Sequence, residues 1–194
     1  MADPIEARLR AAGPGDASAV ARLHADSWRR HYRGAYSDAF LDGDDVAAYL
    51  RALWARRLAV ADGQACTIVA DCDGVLVGLA HTVFGTDATW GSLLDNLHVA
   101  HGRKRQGIGR RLLALTGQAV VGWSAASGLY LWVLEQNAPA RAFYEAQGGA
   151  CVERAEVPPP GGDPANLNGR PACLRYAWPD PPGVSRSRAQ RSGP

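Results

Sequence analysis

The residues of this sequence best suited to chemistry form a short basic, glycine-rich segment between a predicted strand and a predicted helix. Lys104, within it, is the only lysine of the chain. The first turn of a helix leaves backbone N–H groups unpaired, and the helix dipole makes that end positive. Glycines let an anion approach the backbone, and basic side chains add charge. The segment therefore predicts an anion site that suits a pyrophosphate. Its candidate contacts are Arg103, Lys104, Arg105, Gln106, Gly107, Ile108, Gly109 and Arg110.

Two other nucleotide-binding motifs fit this segment less well. A Walker loop would place Lys and then Ser or Thr after its second glycine, and Gly109 is followed by Arg110. A dinucleotide fingerprint, G-x-G-x-x-G, would need a third glycine where the sequence has Leu112. A glycine-rich turn with solvated arginines stays open as the plain structural alternative.

A second candidate element spans residues 131–149. Asn137 is placed to cap a helix with Pro139 in its first turn, and Gly148 is placed to end it. Tyr144 follows Asn137 by two helical turns, so the two side chains lie about 20° apart around the helix axis. Tyr144 is therefore either a functional hydroxyl or a core tyrosine with one hydrogen bond.

Both elements resemble motifs of the GNAT N-acetyltransferase superfamily. Residues 104–109 resemble the loop Q/R-x-x-G-x-G/A of its motif A, with Lys104 at the Gln/Arg position and His101 where a proline is frequent. Residues 131–149 resemble motif B, with Gly149 in place of the usual Phe. We expect this glycine to loosen the packing after the helix without changing the chemistry.

The resemblance implies acetyl-coenzyme A as co-substrate, with its pyrophosphate held by the loop backbone. Asn137 and Tyr144 fall at the informative positions of motif B, and Tyr144 would protonate the departing thiolate. In the family, the strands on either side of the motif A helix separate at a bulge, where Leu97 and Val99 would offer backbone groups to the acyl chain. No spacing suggests a metal site.

The implied reaction is direct attack of a neutral amine on the thioester carbonyl, through a tetrahedral intermediate stabilised by the N–H of Val99. The general base stays open. Because strand side chains alternate, Asp95 is expected on the same face as Leu97 and Val99, beside the acyl site. Glu135, just beyond the next strand, is the second candidate, and a water chain is the third.

The acceptor side is less defined. The segment from His24 to Tyr32, H-x-x-S-W-x-x-x-Y, is similar to bacterial family members in which it lies by the acceptor cleft. Trp28, Tyr32 and Tyr36 either line an acceptor pocket or belong to the core. The loops 32–45 and 158–171 would shape the pocket for a small-molecule or peptide amine.

Hydrophobic periodicity and turn residues predict the elements that must position these groups. They are a strand at 6–11, helices at 15–32 (capped by Asp16) and 46–61, strands at 65–71, 74–85 and 92–99, a helix at 107–126, a strand at 129–134, a helix after Asn137, and strands at 150–157 and 172–178. Asp73-Gly74 predicts a hairpin. We expect an α/β (α+β) domain with a central mixed, mostly antiparallel sheet flanked by about four helices.

Composition limits the partners and the location. The chain has 194 residues and a net charge of +2, and residues 183–194 hold three arginines and no acid. We expect one domain over 1–179 and a disordered basic tail over 180–194. The nearly neutral remainder argues against nucleic acid. With no signal peptide or membrane span in the pattern, a cytoplasmic protein is expected. A homodimer agrees with the resemblance.

Three functions compete at this point. The first is a catalytic N-acetyltransferase. The second is a non-catalytic acyl-coenzyme A sensor that keeps the anion site, against which the presence of Tyr144 argues. The third is an unrelated nucleotide-binding protein, which would prefer ATP or a dinucleotide to coenzyme A.

Overall fold

The computed structural model describes residues 6–60, 62–124 and 126–184. Seven strands and five α-helices make up this part of the chain: β1 (Arg8–Ala11), α1 (Ala17–His31), α2 (Asp38–Asp42), α3 (Asp44–Ala59), β2 (Ala65–Cys72), β3 (Val75–Asp87), β4 (Gly91–Val99), α4 (Ile108–Trp123), β5 (Leu129–Leu134), α5 (Ala138–Ala146), β6 (Ala150–Glu156) and β7 (Ala172–Trp178). The predicted order of elements is confirmed. The additional helix, α2, is short and lies inside the segment 32–45.

The seven strands form one sheet in the order β1-β2-β3-β4-β5-β7-β6. Every neighbouring pair is antiparallel except β4 and β5, which are parallel. The mixed, mostly antiparallel sheet is therefore confirmed. The carboxyl ends of β4 and β5 lie at the same edge, so the loops that follow these two strands are neighbours.

Helices cover both faces of the sheet. The α1–α3 side is filled by a core cluster that includes Val20, Leu41, Leu50, Trp54 and Leu79. The opposite side, under α4 and α5, is filled by a second cluster that includes Ile108, Leu112, Leu131, Tyr144 and Tyr176. The central strands are apolar on both faces for this reason.

The β2–β3 hairpin turns on the predicted dipeptide. Asp73 and Gly74 both have positive φ, 50° and 80°, as a two-residue turn matched to strand twist requires. Cys72 pairs directly with Val75 across the turn. The Asp71 carboxylate accepts the N–H of Gly74 at 2.7 Å. The hairpin prediction is confirmed.

One predicted helix cap is present and another is wrong. The Asn137 Oδ1 accepts the N–H of Ala140 at 3.3 Å at the start of α5. Asp16 lies just before α1 but makes no cap bond to it. Its carboxylate accepts instead the N–H of Gly13 at 2.8 Å and is paired with the Arg10 guanidinium at 2.7 Å. The Asp16 carboxylate therefore does not cap α1, because Arg10 and Gly13 occupy its oxygens. Asp16 instead links β1 to the segment that precedes α1.

The ordered chain continues beyond the predicted boundary at 179. Pro181 is buried, and the Gln118 amide on α4 donates to the carbonyl of Gly183 at 3.3 Å. Gly117 of α4 leaves room for this segment, since a Cβ there would lie 1.9 Å from the Pro182 carbonyl oxygen. A disordered tail from 180 onward is therefore wrong for 180–184. Residues 185–194 lie outside the described residues.

The longest helices of the described ranges are α3 and α4, with 16 residues each. In those ranges no helix combines the length and the apolar character that crossing a membrane requires.

Gly149 does not loosen the packing after α5. A Cβ at this position would lie 2.6 Å from Cζ2 of Trp178 and 3.0 Å from the Tyr144 carbonyl oxygen. The Trp178 indole N–H donates to the carbonyl of Gln147 at 2.9 Å. The expectation of looser packing is therefore wrong, because the Trp178 ring from β7 fills the space beside the glycine.

We predict that Gly149→Ala lowers the free energy of unfolding by about 1–3 kcal/mol, because the methyl group forces Trp178 off its position. Urea unfolding measures the loss. Gly15→Ala is the matched control, since a Cβ at Gly15 meets no atom within 4 Å. Equal stability of the two variants would contradict this view of the packing.

Candidate active site

A gap opens between β4 and β5 soon after the strands begin. Their pairing joins only Ser92 to Leu129 and Leu93 to Tyr130. On the other side of β4, the register with β3 shifts between Leu94 and Asn96, so that Asp95 is the extra residue of a β-bulge. The gap widens from this bulge toward the carboxyl ends of both strands.

Backbone groups of β4 point into this gap. The N–H of Ala100 donates to the carbonyl of Val77 in β3 at 2.8 Å. Because hydrogen-bonding direction alternates along a strand, the N–H groups of Val99 and Leu97 point away from β3, toward β5. Their side chains pack on the α4 side of the sheet. Pairing with β5 has ended there, so these two N–H groups are available to another acceptor.

The start of α4 presents further backbone donors beside the gap. Gly107 is the N-cap residue with φ +77°, a left-handed conformation that glycine adopts without strain. Arg105 has φ +62°, which costs a non-glycine residue about 1–2 kcal/mol. The first N–H bonded within the helix is that of Arg111, to Gly107 O. The N–H groups of the three preceding residues are free to bind an anion.

Unpaired positive charge surrounds these donors. Arg103, Arg105 and Arg110 form no ion pair with any carboxylate in the described part of the chain. The helix dipole and the guanidinium groups of these three arginines act together, which makes the start of α4 a strong anion site.

Tyr144 lies on α5, in the core cluster between this helix, α4 and the sheet. Its ring is buried against Phe143, Tyr176 and Trp178. Burial, and secondarily the nearby Tyr32, raise the pKa of Tyr144 above its ordinary value. The phenol is therefore protonated at neutral pH, which is the state that a proton donor needs.

Asp95 does not lie on the face predicted for it. The bulge reverses the alternation, so Asp95 points to the α1–α3 side whereas Leu97 and Val99 pack on the α4 side. Arg57 of α3 donates to the Asp95 carboxylate at 2.6 Å and to the Asn96 side chain at 2.8 Å. Asp95 remains at the gap, but from the opposite side and within an ion pair.

Glu135 lies farther out. Its carboxylate accepts two hydrogen bonds from the Arg154 guanidinium, at 3.0 and 2.8 Å. Hydrogen bonds from Arg154 lower the pKa of Glu135. The assignment of either carboxylate as general base stays a prediction.

The aromatic residues of α1 and its following loop divide between core and surface. Trp28 and Tyr36 are buried in the α1–α3 cluster, whereas Tyr32 is half-buried beside the gap. Burial, followed by the Asp95 charge, raises the pKa of Tyr32 to about 12. The assignment of Trp28, Tyr32 and Tyr36 to an acceptor pocket stays a prediction, and Tyr32 is the least buried of the three.

The two loops expected to shape an acceptor pocket are in contact. Tyr36 forms an isolated β-bridge with Leu167. The N–H of Ser37 donates to the carbonyl of Asn166 at 2.9 Å, and that of Asn168 to the carbonyl of Ala35 at 2.8 Å. The segment 158–171 therefore forms a wall next to α2.

Contacts of the α1 end were not predicted from sequence. The His31 ring lies 2.8 Å from the Lys104 amine, and the Gln136 amide donates to the carbonyl of Arg33 at 2.7 Å. Lys104 follows β4 and Gln136 follows β5, so the end of α1 spans the mouth of the gap. A histidine at the end of a helix gives no local signal for such a contact.

Three histidines are buried on the α1–α3 side. The His24 and His98 rings lie 4.5 Å apart, and the Nε2 atom of each has no hydrogen-bond partner among the described residues. The Trp54 indole N–H donates to His24 Nδ1 at 3.0 Å. The third, His81, contacts Thr67 Oγ1 at 2.8 Å. His98 thus packs in the core.

This arrangement of a splayed parallel strand pair, a helix-terminal anion site and a buried phenol defines the class of coenzyme-dependent acyltransferases. In the described ranges no group of three His, Cys, Asp or Glu side chains could hold a metal ion.

Comparisons with known proteins agree with this class. A family model described as the acetyltransferase (GNAT) family matches residues 21–149. The chain is 32% identical over 147 residues to the probable N-acetyltransferase Rv2775 of Mycobacterium tuberculosis. The matched region covers 73% of this chain and 79% of that protein.

Solved structures with the same fold include two coenzyme complexes. The PaiA N-acetyltransferase of Thermoplasma acidophilum, in complex with coenzyme A, is 17% identical with a TM-score of 0.67, over 89% of this chain and 99% of that one. NAA60 of Arabidopsis thaliana, in complex with acetyl-coenzyme A, is 16% identical with a TM-score of 0.62, over 89% and 97%.

The chain belongs to the GNAT acetyltransferase family. It is therefore an acyltransferase that uses acetyl-coenzyme A as its co-substrate. The resemblance found in residues 104–109 and 131–149 is confirmed.

We predict that acid destabilises the protein through its buried histidines. Burial lowers the pKa of His81 and of His98 to about 4, whereas an unfolded histidine titrates near 6.5. Between these values the unfolded chain binds the proton and the native one does not, so stability falls as pH falls. Each residue should contribute a loss of about 2 kcal/mol between pH 7 and pH 5.

Urea unfolding at the two pH values measures this loss. His81→Gln should show a pH difference smaller by about 2 kcal/mol, because the titrating group is gone. His101→Gln, at an exposed position, is the control and should keep the wild-type difference. An unchanged difference in His81→Gln would contradict the prediction.

Proposed function

We propose that this protein transfers the acetyl group of acetyl-coenzyme A directly to a primary amine held on the α1–α3 side of the gap. The observation that carries the proposal is the geometry of the gap, where Val99 has no strand partner on the β5 side and a Cβ at Gly109 of α4 would lie 3.7 Å from the Val99 side chain. The acceptor is a small-molecule or peptide amine, bounded by Tyr32 and the loop 158–171.

The residues at the start of α4 suit the coenzyme pyrophosphate. The backbone N–H groups of Ile108, Gly109 and Arg110 have no helical acceptor, and the surrounding guanidinium groups supply charge. Gly109 faces Phe143 and Val99, and a Cβ there would lie 3.5 and 3.7 Å from their side chains. The position therefore has room for a methyl group but for little more. The fold shared with coenzyme complexes of PaiA and NAA60 supports the same location.

The acyl carbonyl would accept the N–H of Val99, which the strand directs into the gap. An N–H fixed by the sheet needs no reorganisation when negative charge develops on the oxygen. The amine would attack from the α1–α3 side and form the new C–N bond. The C–S bond then breaks, and Tyr144 donates its proton to the departing thiolate.

The excess proton of the amine leaves on the α1–α3 side. Asp95 is better placed than Glu135 to receive it, because Asp95 lies on the bulge itself, while Glu135 is held outside by Arg154. A water chain past the Asp95–Arg57 pair would serve the same purpose. A sensor without catalysis is less favoured, since it would need neither the free Val99 N–H nor the protonated phenol.

We predict that Tyr144→Phe lowers kcat by about 10²-fold and leaves the KM for acetyl-coenzyme A nearly unchanged, because only the proton donor is lost. Thiol release with a panel of primary amines measures turnover. Tyr176→Phe is the control, since the Tyr176 hydroxyl donates to Glu145 instead of facing the gap. Wild-type turnover of Tyr144→Phe would refute the proposed acid.

We predict that Gly109→Asp abolishes binding of acetyl-coenzyme A, because its carboxylate brings bulk and negative charge to the anion site. Gly109→Ala should bind within about threefold of the wild type, since a Cβ makes only ordinary contacts there. Calorimetric titration measures both. If the Asp variant kept its affinity, the pyrophosphate would have to bind elsewhere.

A further inference from the structure

The end of α1 is fastened to both sides of the gap. On the β4 side, the His31 ring meets the Lys104 amine at 2.8 Å. On the β5 side, the carbonyl of Arg33 accepts the amide of Gln136 at 2.7 Å. The residues between these contacts include Tyr32, which faces the acceptor side. The helix that forms the acceptor wall is thus in direct contact with the loop that forms the anion site.

The protonation state of His31 permits this contact. Burial, followed by the charges of Lys104, His101 and Arg30, lowers the pKa of His31, against a smaller opposite effect of Asp26. The imidazole is therefore neutral at physiological pH, and its Nε2 lone pair accepts a hydrogen bond from the lysine amine. Lys104 keeps two further N–H donors for another partner.

The contact with His31 restrains the Lys104 side chain before an anion binds. Lys104 is an exposed side chain on a four-carbon stem, and an unrestrained lysine loses much rotamer freedom when it binds a ligand. Within the described residues it forms no ion pair with a carboxylate. Partial burial, followed by the charge of Arg30, lowers the pKa of Lys104. An anion would relieve this concentration of positive charge.

We propose that His31 is a positioning residue of the coenzyme site, which holds the Lys104 amine over the anion site and thereby links the acceptor wall on α1 to coenzyme binding. The inference rests on the proposed function, because the anion in question is the coenzyme pyrophosphate. His31 itself touches Lys104 and acts through it. Preorganisation of this kind improves affinity by reducing the entropy lost on binding.

Calorimetric titration with acetyl-coenzyme A tests the inference on five variants of the full chain. His31→Ala should bind about 5- to 10-fold more weakly, with kcat at saturation nearly unchanged. His31→Gln should bind within about twofold of the wild type, because its amide oxygen also accepts from lysine. Arg22→Ala, at an exposed position of the same helix, is the control and should bind like the wild type. In a Lys104→Ala background, adding His31→Ala should cause no further loss.

A second readout uses the fact that the chain has one lysine. Protein labelled with ¹³C at lysine Cε gives a single side-chain NMR signal. In the wild type this signal should differ from that of free lysine and shift when acetyl-coenzyme A is added. In His31→Ala it should return to the position of a free lysine, while His31→Gln should keep the wild-type position.

The outcomes distinguish a failure of the proposed function from a failure of the proposed role of His31. No binding of acetyl-coenzyme A by the wild type would refute the proposed function. Normal wild-type binding with unchanged affinity in His31→Ala would refute only the role of His31. A loss in His31→Ala that persists in the Lys104→Ala background, or that His31→Gln does not restore, would show that His31 acts through the fold and not through Lys104.

Discussion

The structure depends on one interruption of hydrogen bonding, the loss of pairing between β4 and β5 beyond Leu93. A parallel pair in the middle of a sheet would normally continue its ladder, and unpaired backbone groups in a protein interior are costly. Here the bulge at Asp95 turns β4 away from β5, and the N–H groups of Leu97 and Val99 are left without a strand partner. In the proposed mechanism these groups form a fixed row of donors for the acyl group.

The remaining parts of the site are arranged around this gap. Because β4 and β5 are parallel, the loops after them meet at one edge, and each leads into a helix. The first helix, α4, brings its positive end and uncompensated arginines to the mouth of the gap. The second, α5, brings Tyr144 against the apolar side, where burial keeps the phenol protonated. In the proposed mechanism, coenzyme binding and proton donation come from consecutive β–α units on one face, and the acceptor approaches from the other.

The local parts of this site could be predicted from sequence, because their physical cause is local. Asn137 as a cap and Asp73-Gly74 as a hairpin turn each follow from the conformational preferences of the residues themselves. The position of Tyr144 followed from helical geometry and from the resemblance. The order of elements followed from the hydrophobic period and from the turn residues.

Errors arose where a distant part of the chain decides the outcome. Alternation placed Asp95 beside Leu97, but one bulged residue moves it to the other face, toward Arg57. Gly149 suggested loose packing, but Trp178 from β7 occupies the space. A proline- and glycine-rich end suggested disorder from 180 onward, but Gly117 of α4 accommodates Pro182. The contact between His31 and Lys104 joins residues far apart in sequence, and neither residue type signals it.

The central claim is that the gap and the start of α4 together form a coenzyme A site. Calorimetric titration of the wild-type protein with acetyl-coenzyme A, with ATP and NAD as controls, tests it most directly. We expect one-to-one binding with a dissociation constant on the order of micromolar for acetyl-coenzyme A, and much weaker binding of both controls. Absence of binding, or a preference for ATP or NAD, would contradict the account.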